Sequence, residues 1–464
     1  MNEVIAQLDK WIQSYNENVG GQLLLIFLIP TGLYFTIRFR LLQLRALPHA
    51  LKVISGAFDR PEDAGDINHF RALTTALSAT IGIGNIVGVA LAIYWGGPGA
   101  IFWMWVTGFL GMILKFVECT LSFKFRVFNE DSTVSGGPMY YMSMGLREKL
   151  GPFAGVLAGI FAAATMLSAL GQGNMAQSHS IADALHSSYG VPTWLSGLLV
   201  SALVLLVIVG GIRRIAEVTS KLVPFMAILY FAGGALVIIA NIGKVPESLL
   251  LIVKSAFTGT AATGGFIGAS FIITLRYGVA RGIFSNEAGQ GSAAIAHAAA
   301  KTKYPVREGL VASVGPFVDT IIVCSITALV IILTGAWTCG KQGVTMTVEG
   351  FARGFSGFGL RERAPDLVTV SLILFAFSTI IGWSYYGSRA AQYLFGSRAI
   401  RPYFYLYGLF VFLGSLGKIE VVWHFTDMAV TFMTIPNLIA LLLLGGLVAG
   451  DMRSYFEAMR RGDD

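Results

Sequence analysis

The chain has 464 residues, of which 55% are hydrophobic and only 13% charged, and its mean hydropathy is +0.69. Soluble domains carry about 25% charged residues, so the composition excludes a soluble globular fold and predicts an all-helical, polytopic membrane protein. The net charge of +7 does not point to nucleic acid, because the basic residues flank apolar segments where anionic headgroups and membrane orientation account for them.

Crossing a bilayer core takes about 20 apolar residues. Apolar stretches fall at 19–38, 70–94, 99–127, 151–182, 192–210, 217–241, 253–276, 305–334, 368–390, 401–417 and 420–449, which predicts eleven spans. A weaker stretch, 282–300, holds Asn286, Glu287, Gln290 and His297 and reads as a helix at or just below the surface. Residues 1–18 lack a basic region followed by a cleavage site, so no signal peptide is expected. Of the 33 Lys and Arg residues, 24 fall on one set of faces and eight on the other. That bias predicts an outside N-terminus and a cytoplasmic C-terminus, as an odd number of spans requires.

The first span, with its basic linker, is set apart as residues 1–69. Its trailing stretch RFRLLQLRALPHALKV fits both an amphipathic helix on the inner surface and an ordinary basic flank. The remaining spans divide into five within 70–241 and five within 242–450, with 451–464 as a cytoplasmic tail. Five is odd, so the second block starts from the opposite side, the arrangement of an inverted-repeat transporter with its site at the midplane. Residues 335–367 form the longest outward connection, read either as a lid or as a solvated loop.

Thr74 to Ala90, TTALSATIGIGNIVGVA, is the stretch that points to function. Glycine weakens a helix interior by about 1 kcal/mol, and opened backbone at membrane depth is tolerated only inside protein or around a polar cavity. Gly82, Gly84 and Gly88, with Asn85, therefore predict a discontinuous helix whose freed backbone groups bind something. Ser78 and Thr80 add hydroxyls, and the carbonyls of Ser78, Thr80 and Ile81 would be released at the break to serve a hard cation. The competing expectation is that these hydroxyls bond back to their own helix. TAATGGFIGAS, from Thr260 to Ser270, is read as the matching break of the second block. There Thr263, Gly264, Gly265 and Gly268 give room for a small substrate, and Phe266 closes the apolar side.

Two other spans supply candidates. FAFSTIIGWSYYG brings Ser378 and Thr379 for a cation and Trp383 for a pocket wall, although aromatic residues near a span end also suit the headgroup belt. LSALGQGNMAQ sets Gln172 and Asn174 between glycines, where an amide would reach an amino or carboxyl group. Buried charges are costly and usually paired or functional. Lys115 and Glu118, three apart, are expected to neutralise each other. Asp319 is open to two readings, a partner across the bundle or a proton relay, and Asp427 beside His424 is expected to be exposed near a span end. Cys119, Cys324 and Cys339 have neither metal nor disulfide spacing.

ATIGIGNIV (79–87), SGGPMYYM (135–142), TGGF (263–266) and RGIFSNEAGQGS (281–292) together resemble the sodium:alanine symporter family, over residues 72–437. The resemblance implies a leucine-transporter-like bundle of two inverted five-helix halves with one extra N-terminal helix. It implies symport of sodium with a small neutral amino acid, alanine or glycine, across a bacterial cell membrane, with no organic cofactor. Thr80, Gly82, Gly84, Asn85, Gln172, Gly264, Gly265, Phe266 and Trp383 are then expected around the substrate. Ser78, Ile81, Ser378 and Thr379 are expected around sodium. The family's usual Ala-Gly-Leu-Gly-Ser run is altered by Gln290. Placed in a cytoplasmic stretch, that change is expected to bear on gating and not on the substrate. Proton coupling through Asp319 or Glu118 is the first rival reading, and a non-transporting membrane sensor of amino acids the second. No nucleophile–base pair or metal motif suggests an enzyme.

Overall fold

A computed structural model describes residues 2–60, 62–130, 133–261, 264, 266–417 and 420–461. The chain begins with an apolar helix, α1 (Asp9–Arg38), and a short amphipathic helix, α2 (Leu47–Ile54), which buries Ala50 and Val53 and exposes Leu51. Next comes a helix in two parts, α3 (His69–Thr80) and α4 (Gly84–Gly96), which bend by 54° at the glycines. α5 (Ala100–Lys124), α6 (Phe153–Tyr189), α7 (Thr193–Ile208) and α8 (Gly211–Ala240) follow. Between α5 and α6, β1 (Val127–Phe128) pairs antiparallel with β2 (Val134–Ser135).

The chain then departs from the expected segments. The apolar stretch 253–276 is not one helix: between α9 (Val245–Thr258) and α10 (Phe271–Asn286) the described residues are non-helical. α10 is followed by α11 (Ser292–His297), and the residues between them are the second break. Glu287, Gly289 and Gly291 all have positive φ, at 54°, 79° and 78°. Residues 285–300 are buried throughout, so this stretch lies inside the bundle and not at its surface. Hydropathy misplaced it because water is excluded here by protein, not by lipid.

The chain continues through α12 (Pro305–Leu333), α13 (Val344–Phe355), α14 (Arg361–Phe395), α15 (Ser397–Leu416) and α16 (His424–Arg461). Eight of the described helices are long and apolar enough to span a membrane, and the bent pair α3/α4 makes a ninth. The shorter apolar helix α7 also has an apolar outer face. On α7, Leu198, Leu199, Leu203 and Leu206 are exposed while Val200 and Val204 are buried, as suits a helix with lipid on one side and protein on the other. The connection 335–367 contains a helix, α13, that packs on the first break: Thr347 donates to the Ile86 carbonyl of α4 at 3.2 Å.

Candidate functional site

The first break is held open by side chains from other helices. α3 starts at Asn68, whose side chain accepts the Arg71 N–H at 3.0 Å, a cap that satisfies one of the orphan amides of the first turn. It stops at Ile81, whose ψ of 91° leaves the helical region. The amides thus released find new acceptors. Gly82 N–H donates to Asn85 Oδ1 at 2.9 Å, and Ile83 N–H to Gln177 Oε1 at 3.4 Å. The released carbonyls are met from α14: Ser378 Oγ donates to Ser78 O at 2.9 Å and Thr379 Oγ1 to Ile81 O at 3.3 Å. Ser78, Ile81, Ser378 and Thr379 therefore form one oxygen-rich cluster.

The second break approaches the first closely. A Cβ on Gly84 would sit 3.1 Å from the Phe284 ring and 3.4 Å from Ser285 Cα, so this glycine permits the contact. Asn85 Nδ2 donates to Ser285 Oγ at 3.2 Å and to Asp319 Oδ1 at 2.7 Å. Ser285 Oγ and Thr320 Oγ1 each donate to Asp319 Oδ2 at 2.8 Å. Asp319 is thus a buried carboxylate with three neutral donors, and it pairs across the bundle with the first break. Glu287, in the left-handed region, is fixed at both oxygens by Trp383 Nε1 (2.8 Å) and Ser292 Oγ (2.6 Å). Asn437 Nδ2 donates to Gly289 O at 2.9 Å and to Glu118 Oε2 at 3.1 Å. Glu118 is therefore bonded by α16; the expected Lys115–Glu118 pair does not fall within 4.0 Å among the described residues.

A cavity of about 500 Å³ lies beside the breaks, walled there by Ile83, Val87, Gln172, Phe284 and Gln290. It is lined as well by Arg276, Arg281, His424 and Asp427. Asp427 is exposed, but into this cavity, and His424 pairs with Asp9 at 2.7 Å.

The residues singled out in the sequence are distributed as follows. Thr80 is buried and bonds weakly back to its own helix, with Ala76 O and Leu77 O at 3.4 and 3.3 Å. Gly82, Gly84 and Asn85 are buried at the break, and Gln172 lines the cavity. Asn174 is taken up by the Tyr407 carbonyl at 2.8 Å. Trp383 is fully buried and touches the second break through Glu287. Gly264 and Phe266 are elsewhere: Gly264 stands against Thr338, and the Phe266 ring packs edge-on to Trp337, 5.6 Å between centroids. Neither lines the cavity: the helix is interrupted around them too, but the break that meets Gly82–Asn85 lies at Glu287–Gly291. Gly265 and Thr263 fall outside the described residues. Gln290, expected to affect gating alone, is in the cavity wall. Ser285, Glu287 and Gln290 were missed as site residues, although the spacing of Gly289 and Gly291 around polar side chains resembles that of Gly82 and Gly84.

Two discontinuous helices meeting at their breaks beside a cavity, within a bundle of apolar spans, define a multi-pass secondary transporter. The chain belongs to the sodium:alanine symporter family, whose model matches residues 5–464. It is 43% identical to an uncharacterised transporter of Haemophilus influenzae, covering 98% of this chain and 97% of that protein. It is 42% identical to the sodium/alanine symporter AgcS of Methanococcus maripaludis, covering 96% and 97%. Among solved structures it resembles MhsT in complex with L-phenylalanine, with a TM-score of 0.59 at 13% identity over 82% of this chain and 89% of that one. A manganese transporter of Eremococcus coleocola gives 0.53 at 14% identity over 83% of each. The fold is leucine-transporter-like, and the protein is a transporter, not an enzyme.

Proposed function

We propose that the protein couples inward sodium movement to uptake of a small neutral amino acid, with alanine and glycine as the first candidates. The observation that carries this reading is the convergence of Ser78 O, Ile81 O, Ser378 Oγ and Thr379 Oγ1 at the first break. Carbonyl and hydroxyl oxygens suit a hard monovalent cation, and the C-terminal end of α3 adds a favourable dipole. When sodium enters, the two hydroxyls turn from the carbonyls to the ion, and the break is ordered for substrate. The zwitterion then lies between the breaks near Gly82–Asn85, and closure over both cargoes precedes opening to the other side.

The membrane arrangement completes the reading. If α7 and the α10/α11 pair each cross, the count is eleven spans, with residues 70–241 and 242–450 as inverted halves. The N-terminus is then outside and the C-terminus cytoplasmic. One observation favours a second reading. Asp319, buried between the two breaks, is placed to carry a proton or to add a charge to a second cation site. A relative from Bacillus subtilis is described as a putative sodium/proton-dependent alanine carrier, at 33% identity.

The test is uptake of labelled alanine and glycine into proteoliposomes, with and without an inward sodium gradient, at two pH values. Saturable uptake that follows sodium supports the reading. Uptake driven by a proton gradient alone transfers the coupling to Asp319.

A further inference from the structure

Two glutamines line the cavity beside the breaks, Gln172 and Gln290. The Oε1 of each is buried and has no hydrogen-bond partner among the described residues. Gln290 is wholly shielded and Gln172 is 3% exposed. The Gln290 amide is oriented by its own nitrogen, which donates to the Ile283 carbonyl at 3.1 Å. A flipped amide would set oxygen against oxygen there, so Oε1 is the free end. An unpaired buried acceptor is costly, and two facing one cavity fit a donor that arrives with the ligand.

The donor's chemistry is narrowed by charge and size. Arg281 lines the same cavity, and its Nε is buried without a partner among the described residues. A guanidinium in the wall disfavours an ammonium there and favours a neutral donor. The volume of about 500 Å³ is within the usual range of roughly 300–1,000 Å³ for ligand pockets, and a three-carbon zwitterion leaves much of it unfilled. Ile83, Val87 and Phe284 supply apolar wall to the same cavity.

We propose that Gln290, together with Gln172, is a specificity-determining residue that accepts hydrogen bonds from the side chain of the transported amino acid. The pocket thereby prefers a side-chain primary amide or hydroxyl, as in glutamine, asparagine or serine, over the methyl of alanine. This rests on the amino-acid reading above and moves its substrate class from alanine and glycine to small polar side chains.

The experiment is a set of binding isotherms for alanine, serine and glutamine, in sodium, on the purified full-length protein and on its Gln290→Leu and Gln172→Leu variants. The expected result is that wild type binds serine or glutamine more tightly than alanine. Gln290→Leu should lower that preference about tenfold, the cost of one buried hydrogen bond lost from a matched pair. If Gln290→Leu does not fold, Gln290→Asn, which withdraws the oxygen by one methylene, must shift the preference in the same direction. An unchanged preference overturns the proposal. An equal loss for all three amino acids also overturns it, since the oxygen would then serve the ammonium they share. Absence of binding by any of the three in wild type overturns the amino-acid reading itself.

Discussion

Asn85 Nδ2 lies 2.7 Å from Asp319 Oδ1, so the amide that caps the first helix break is held by a carboxylate of α12. All the side-chain partners of that carboxylate are donors, from Asn85, Ser285 and Thr320. Asp319→Asn replaces one acceptor oxygen with a second amide nitrogen and leaves at least one buried donor unmatched. The expected cost is about 1–3 kcal/mol of stability, read as a lower melting temperature of the purified protein, together with reduced uptake. An Asp319→Asn protein that melts and transports like wild type would mean that the carboxylate does not hold the break.

The cation cluster makes a separate prediction. Thr379→Ala removes a hydroxyl that reaches both Ile81 O and Phe375 O, at 3.3 and 3.0 Å. Ser378→Ala removes the partner of Ser78 O. Each variant should raise the sodium concentration for half-maximal uptake about tenfold, one ligand being worth roughly 1.4 kcal/mol, and do so more than it raises the amino-acid requirement. A sodium dependence equal to wild type in both variants would place the coupling ion elsewhere.

How far the sequence could reveal this site depended on what surrounded each break. Gly82, Gly84 and Asn85 stand out because they interrupt a run that is uncharged and long enough to span. The second break was equally marked by Gly289 and Gly291, but Asn286, Glu287 and Gln290 lowered its hydropathy and made it resemble a surface helix. Composition cannot distinguish polar residues facing water from polar residues satisfied inside a bundle. Here Trp383, Ser292 and Asn437, remote or unremarkable in sequence, do the satisfying. Gly264 and Phe266 misled differently: the helix is interrupted around them, as paired glycines in apolar sequence suggest, but they sit against Thr338 and Trp337 and not at the cavity. Ser378 and Thr379 were picked out as hydroxyls in apolar context, yet only the fold brings them to α3.

On α13, Glu349 is held by Lys341 and Arg353, each at 2.8 Å, and these cations lower its carboxyl to about 2 from an ordinary 4.5. The folded value is the lower one. The contribution of these pairs is therefore complete above about pH 4.5 and is lost as the pH falls through about 2. Uptake between pH 5 and 8 should consequently be insensitive to Glu349 titration. Glu349→Gln should speed amide hydrogen exchange in Val344–Phe355 at neutral pH. A variant that exchanges no faster than wild type there would show the ion pairs to be incidental, as many exposed pairs are.

Packing at α6 gives a test that involves no charge. A Cβ at Gly173 would run into the Trp383 indole, which is fully buried and committed to Glu287. Gly173→Ala therefore forces the ring, and with it the second break, to shift, and overpacking of this kind costs about 1–3 kcal/mol. Reduced uptake with a lower melting temperature is expected. Gly155 on the same helix, where a Cβ meets nothing within 4 Å, should tolerate alanine and serves as the control. Equal effects of the two substitutions would count against the indole as the support of the second break.

Glu308 joins the far ends of the two broken helices. Its carboxylate meets His69 Nδ1, at the start of α3, and His297 Nδ1, at the end of α11, both at 2.5 Å. All three residues are buried. Each imidazole keeps a fixed place only while this acceptor is present, so the two helix ends are located relative to each other through one side chain. Glu308→Ala leaves two buried ring groups without it, at about 1–3 kcal/mol each. Glu308→Gln retains one acceptor oxygen and should lose roughly half as much. The expected order of melting temperatures is wild type, then Glu308→Gln, then Glu308→Ala, with His69→Ala and His297→Ala each less than additive with Glu308→Ala because they share the partner. Strict additivity of either histidine change with the loss of Glu308 would show that the carboxylate does not couple the two helices.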